Sequence, residues 1–364
     1  MLVRPVSLSA LAVAALFSSA AQAAPLSATQ VLQQFNVVVT GDIHSSSHVD
    51  GRTFAGGNVV GGDYVQHVND TPASAYAGLT VGGDLRGANV NGLGVVVGGD
   101  IYFRGVNSGA AYVGGKATGV SFGGDAWVGG VADGVNFNGA GHAASLVNTN
   151  NNRPLAAPTA AMNSTLAAST STNFGSVLGG LSSSLSTLHS TGSTVDFSNN
   201  NQQVTFNAVA QNGVAVFDLR ALDSSIFSAT TSDIVFNMNG ATTVILNTDD
   251  KNLSLMANFN QAQSLGGQLI WNFAGAESVT VGRTFGGQVL ATGATFSNVG
   301  GANVEGGVFA ANLHQDGEIH LQSFSGTLPV TAVPEPEGYA MMGLGLGLLG
   351  LVARRRKPAP FRQS

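Results

Sequence analysis

Glycine pairs flanked by aliphatic residues recur along this chain at fixed intervals. Val81-Gly82-Gly83-Asp84, Val97-Gly98-Gly99-Asp100 and Val113-Gly114-Gly115-Lys116 stand 16 residues apart. Val128-Gly129-Gly130 follows Val113 by 15 residues, and Val60-Gly61-Gly62-Asp63 precedes the set by 21. A second set, Gly266-Gly267-Gln268-Leu269, Gly286-Gly287-Gln288-Val289 and Gly306-Gly307-Val308-Phe309, has an interval of 20. Such periods mean one supersecondary unit stacked many times. Between the pairs lie short apolar runs such as Val95-Val96-Val97 and Leu269-Ile270-Trp271. Each is long enough for a strand of about 4–5 residues. Glycine permits the positive φ of a tight corner, and an Asp beside the pair can hydrogen-bond the corner backbone. The predicted fold is therefore all-β, a right-handed parallel β-helix with two or three short strands per rung. Val, Leu, Ile and Phe would stack inside it, and Asn residues would form side-chain ladders at the corners.

Composition narrows the alternatives. Charged residues make up 9% of the 364, against roughly 25% in an average globular chain. Fifty residues are Gly and 29 are Asn, a composition that excludes coiled coils and helical bundles. With 44% hydrophobic residues the chain is too apolar to be simply disordered. Cysteine is absent, which removes disulfides, thiolate catalysis and cysteine metal sites.

One segment departs from the repeat. Met162, Leu166, Phe174, Leu178, Leu181, Leu185 and Leu188 fall at helical spacing. They predict one long α-helix, an insert over about 160–190, packed along the solenoid flank. A shorter helix is predicted at Ala28–Gln34, with Ser27 and Gln30 as a capping box, covering the open edge of the first rung. Strand-forming runs resume after residue 200, so one domain extends from about 27 to 327.

Both ends read as addressing segments. Residues 1–23 form a signal peptide, with Arg4, an apolar stretch from Leu8 to Phe17 and an Ala21-Gln22-Ala23 site for signal peptidase. At the other end come Pro334-Glu335-Pro336, an apolar run over 338–353, and Arg354, Arg355, Arg356 and Lys357. The run is just short of the ~17–25 residues that span a bilayer comfortably, and the cations would stay on the cytoplasmic side. This arrangement over 333–357 resembles the PEP-CTERM sorting signal. The resemblance implies processing by an exosortase-type membrane protease and transient residence in the inner membrane of a Gram-negative bacterium through a transmembrane helix. It places the mature chain at the cell surface or in the extracellular matrix. Between residues 24 and 333, eight cations face eighteen carboxylates, a net charge of −10. That balance argues against a nucleic-acid partner.

The domain also resembles a known family at both its ends. Asn36-Val37-Val38-Val39-Thr40-Gly41-Asp42, Val49-Asp50-Gly51-Arg52 and Ala55-Gly56-Gly57-Asn58 resemble the start of the choice-of-anchor A domain. Gly287-Gln288-Val289-Leu290-Ala291, Val304 to Ala311 and Gly317-Glu318-Ile319-His320 resemble its end, with Thr292 where the family usually has proline. The resemblance implies an ice-binding-like, adhesin-like β-solenoid with a flanking helix and an adhesive role.

No constellation of catalytic residues stands out. Glu318 and His320 would share one face of a strand, as would His314 and Asp316. Each pair is compatible with a metal, with acid–base work, or with a polar edge at the last rung. His44 and His48 flank a serine run that reads as a loop. Glu277 and Glu305 are candidates for a glycosidase pair. Asp63, Asp84, Asp100 and Asp125 follow glycine pairs, so stacked rungs could align them for Ca²⁺, or they could simply form turns. Tyr102, Phe103, Tyr112 and Trp127 could form a carbohydrate-stacking patch or belong to the core. The expected function is non-enzymatic: a surface-sorted adhesive or matrix protein, associated with exopolysaccharide or biofilm, binding polysaccharide or a matrix or host protein through its faces. The alternatives are a polysaccharide-active β-helix enzyme and an ice-binding protein. The latter needs a regular threonine face, and Thr recurs at neither period.

Overall fold

A computed structural model describes residues 23–198 and 202–329. The expected signal peptide over 1–23, apart from Ala23, and the sorting segment 333–357, with its apolar run 338–353, lie outside the described residues. Among the described residues no helix is long and apolar enough to cross a membrane.

Each rung has three sides. On the first, Val37–Val39, Thr53–Ala55, Leu79–Val81, Val95–Val97, Ala111–Val113 and Ala126–Val128 pair in parallel, residue for residue. The longer segments Ile43–Val49, Val59–Tyr64, Leu85–Val90, Ile101–Val106 and Ala117–Phe122 supply the second and third sides. Those sides meet at a left-handed residue within the segment: Gly87, Phe103 and Gly119 occupy equivalent positions with φ of 64°, 55° and 62°. Alternation along the strands sends Val, Leu, Ile and Phe into one continuous core. The parallel β-solenoid expected from the repeat is what the chain forms.

The glycine pairs of the 16-residue repeat serve a purpose other than the one expected, whereas Gly61, Gly62, Gly287 and Gly306 take the expected positive φ. Gly98 and Gly99 are not in the left-handed region. A Cβ on Gly98 would lie 2.4 Å from the carbonyl oxygen of Gly82 one rung away, and a Cβ on Gly99 would lie 2.3 Å from Asp84 Oδ1. Close approach between rungs, not a positive φ, requires glycine at this corner.

The first described strand lies in the middle of the solenoid. Val37–Val39 pairs with Thr53–Ala55 on one edge and with Val308–Gln315 on the other. Successive rungs wind outward to Ser145–Val147. The returning rungs run through Val214–Asp218, Thr243–Thr248, Leu269–Phe273, Gln288–Asn298 and Val308–Gln315, and close on the first rung. Helix α1, Ala28–Gln34, has the expected capping box. It does not cover an open first rung, because that rung has a neighbour on both edges. It packs instead on the outer face of the first side, where Val31, Leu32 and Phe35 join a second apolar cluster.

The expected single long helix is two helices, α2 (Ala160–Ser169) and α3 (Phe174–Ser186). Asn173 starts α3 by accepting from the Ser176 amide at 3.0 Å, and Thr172 Oγ1 accepts from the Leu26 amide at 2.9 Å. Side chains in the break are thus used for a cap and for a tie to the N-terminal segment. α2 lies against the outgoing strands Val95–Val97 and Ala111–Val113, and α3 lies against the returning rungs. Phe174, Leu178, Leu181 and Leu185 are buried against the outward side chains Ile245, Ile270, Leu290 and Phe309.

Candidate functional site

The corner between the first and second sides carries a ladder of carboxamides and carboxylates. Asn312 Oδ1 accepts from the Asp42 amide at 3.0 Å, Asp42 Oδ1 from Asn58 at 2.6 Å, and Asn58 Oδ1 from Asp84 at 2.9 Å. Asp84 Oδ1 then accepts from the Asp100 amide at 2.9 Å and Asp100 Oδ1 from Lys116 at 2.8 Å. The Lys116 amide and the Tyr102 hydroxyl hold the Asp100 carboxyl below the usual range. Asp63 lies elsewhere, accepting from Asn89 Nδ2 at 2.6 Å, and Asp125 accepts from the Ala140 amide at 2.8 Å. The structure therefore does not align Asp63, Asp84, Asp100 and Asp125. Only Asp84 and Asp100 stack, and each ties one rung to the next.

The aromatic residues also divide. Tyr102 is on the second side, with Arg86 over its ring at 4.1 Å and its hydroxyl donating to Asp100 Oδ2 at 2.7 Å. Tyr112 and Trp127 are neighbours on the first side, and Trp127 stacks on His142 at 3.6 Å between ring centroids. All three are half-buried, so none belongs to the core, and they divide between two sides of the solenoid.

The helices cover the first side and leave the second open. Its outward column runs Ser254, Thr280, Ser297, His314, His44, Val60, Arg86, Tyr102, Thr118, Asp133, Val147 in unbroken register. Every member is exposed or half-buried. Threonine occupies only two of these positions, so the column is not a threonine array. Phe103 stands at its margin, 62% exposed. Its left-handed backbone is a conformation that costs an L-residue roughly 1–2 kcal/mol.

A second constellation lies at the seam where the last rung closes on the first. His320 Nδ1 is 2.7 Å from Glu305 Oε1, and its Nε2 is 2.7 Å from Glu318 Oε2. Both ring nitrogens face carboxylates, so both carry protons. The Glu305 bond, against the opposing effect of burial and with help from Glu318, pushes His320 up to about 9. Hydrogen bonding to His320, with the nearby His48 adding, holds Glu318 below the usual carboxylate range. His48 Nδ1 is 3.6 Å from Glu318 Oε1, and its Nε2 is 3.7 Å from Asp50 Oδ1. His48, Asp50, His67, Glu305, Glu318 and His320 line a cavity of about 330 Å³.

The strand spacing of Glu318 and His320 marked two members of this cluster. His48 was expected in a loop but belongs to strand Ile43–Val49, beside a register shift between Ser45 and His48. His44 stacks edge-on against His314 at 5.6 Å across the same seam. Asp316 does not pair with His314; it accepts from Ser46 Oγ at 3.3 Å. Glu305 is brought to His320, whereas Glu277 pairs in solvent with Lys251 at 2.7 Å. Asp50 stood out in the sequence only as part of the Val49-Asp50-Gly51-Arg52 motif and His67 not at all, because only rung closure brings them to the last strand.

A family model described as an ice-binding-like adhesive domain matches residues 28–321, and one for the PEP-CTERM protein-sorting motif matches residues 332–357. No curated protein and no solved structure matches the chain. The sorting motif implies recognition by an exosortase and points to export and to the surface or exterior of a Gram-negative cell. With most of its length matched and the solenoid in view, the chain belongs to the ice-binding-like adhesive domain family.

Proposed function

We propose that this chain is a surface-sorted adhesive protein that binds extracellular polysaccharide of the cell's matrix through its open side, without catalysis. In this reading the apolar run 338–353 holds the chain in the inner membrane until exosortase processing, and the solenoid then acts as a rigid rod. The observation that carries it is Phe103. The rungs on either side place Gly87 and Gly119 at the equivalent position, yet this rung holds a strained aromatic ring in solvent. Strain of this kind persists where a surrounding structure maintains it, and it clusters at ligand sites. A Cβ on Gly119 would lie 3.1 Å from Phe103 Cδ1, so the ring lies over the neighbouring glycine. An aromatic face beside Arg104, Arg86 and Tyr102 suits a sugar ring, with apolar stacking from one residue and hydrogen bonds from the others.

The test is size-exclusion chromatography of the full chain with the producer's own exopolysaccharide. Co-elution with polymer of unchanged length is expected, and Phe103→Gly should lose it while raising the unfolding temperature by relieving the backbone. Shortened polymer, or retention unaffected by Phe103→Gly, would overturn this reading.

A further inference from the structure

We propose that the seam cluster binds a divalent metal ion of borderline softness, Zn²⁺ or a close analogue, through His48, Glu318 and His320, and that the ion ties the first rung to the last. Nothing in this proposal depends on a polysaccharide ligand. One ligand atom from each of the three residues lies within 4.8 Å of the other two. His48 comes from the first rung, on strand Ile43–Val49, and His320 from the last strand, Ile319–His320.

The arrangement around these donors is that of a metal site. Each histidine turns one nitrogen to Glu318, His48 Nδ1 at 3.6 Å and His320 Nε2 at 2.7 Å. Each turns its other nitrogen to a buried carboxylate, His48 to Asp50 at 3.7 Å and His320 to Glu305 at 2.7 Å. Metal-bound histidines require this second partner, which orients the ring and raises the basicity of the ligating nitrogen. The buried carboxylates supply an independent sign. Asp50 is 2% exposed and Glu305 7%, and Asp50 Oδ1 and Glu305 Oε2 have no hydrogen-bond partner. Asp50 Oδ1 faces His48 just beyond hydrogen-bonding distance. Buried polar oxygens of this kind call for a ligand or a tightened contact.

The donor set selects the ion. Two imidazoles and one carboxylate are the protein ligands of open tetrahedral zinc sites; to ligate, His320 releases its Nε2 proton to solvent and keeps its Nδ1 proton on Glu305. Ca²⁺ and Mg²⁺ prefer oxygen ligands in larger number. The adjoining cavity of about 330 Å³ leaves room for water or an exogenous donor at a fourth position.

The full chain, stripped with chelator, is titrated with ZnCl2 by calorimetry and melted with and without the ion. One Zn²⁺ per chain and a raised unfolding temperature, reversed by chelator, are expected. His48→Gln and Glu318→Gln remove ligands at partly exposed side chains and should each weaken binding at least about tenfold. Glu305→Gln, acting through His320, should weaken it about 10–100-fold. His314→Gln, outside the cluster, should leave it unchanged. Co²⁺ added to the unsubstituted chain should give the visible absorption of a tetrahedral site, a readout that no folding defect can imitate. No Zn²⁺ binding, binding that survives both ligand substitutions, or an equal response to Ca²⁺ would overturn the proposal.

Discussion

Asn36 donates from Nδ2 to the carbonyl oxygen of Gly306 at 2.7 Å, across 270 positions of sequence. The same amide reaches the His320 carbonyl at 3.1 Å, and Asn36 Oδ1 accepts from the Gly51 amide at 3.0 Å. One side chain, 2% exposed, thus ties the first rung to its neighbours on both edges. Asn36→Ala removes these bonds and leaves buried backbone groups unpaired, at a cost of about 2–4 kcal/mol. Urea unfolding should show a lower midpoint. Asn58→Ala, in the exposed corner ladder, should cost about 1 kcal/mol or less. Equal losses would show that the seam is no more demanding than an ordinary corner.

Alanine should act with opposite signs at two glycines. At Gly99 a Cβ would meet Asp84 Oδ1 at 2.3 Å and push that carboxylate off the Asp100 amide. Gly99→Ala is expected to destabilise by about 1–3 kcal/mol. At Gly180, inside α3, a Cβ would meet nothing within 4 Å. There alanine should stabilise by about 0.5–1 kcal/mol through helix propensity. Thermal unfolding of the two variants side by side is the check.

Asn272 fastens α3 to the solenoid. Its Oδ1 accepts from Ser182 Oγ at 2.7 Å, and its Nδ2 donates to the Ser182 carbonyl at 3.0 Å and to Asn247 Oδ1 at 2.8 Å. Asn272→Ala should raise amide exchange in 174–186 by about tenfold or more, as the helix opens without the rungs beneath it. Exchange that rises equally in helix and rungs would mean that α3 does not open as a separate unit.

Asp223 should shape the pH dependence of stability. Burial, with the charges of Asp250 and Asp249 adding and the Thr248 hydroxyl opposing, pushes its carboxyl up to about 6. The folded state therefore holds a proton between about pH 4 and 6 that the unfolded state has released. Stability should fall as pH rises through that window, by at most about 3 kcal/mol from this group. Asp223→Asn keeps an acceptor for Thr248, should raise stability at pH 7 and should flatten that slope. A wild-type profile already flat between pH 4 and 6 would contradict the assignment.

What the sequence by itself determined is local and repeated. Residues 16 apart meet the same neighbours in successive rungs, so the glycine pairs, the valines between them and the Asp or Asn after them announce a stack without long-range information. The capping box at Ser27 and Gln30 is legible for the same reason, since its partners are three residues apart. The apolar stripe of the insert was also visible, but it runs through the break between Ser169 and Phe174, where Asn173 caps α3 locally and Thr172 takes the Leu26 amide from another part of the chain. Only the tertiary structure decided that the first described strand lies mid-stack and that Val308–Gln315 closes onto Val37–Val39. A repeat specifies what each rung can pair with, not which rung it meets. That closure created the seam, where His48 and Asp50 from one end of the sequence meet Glu305, Glu318 and His320 from the other.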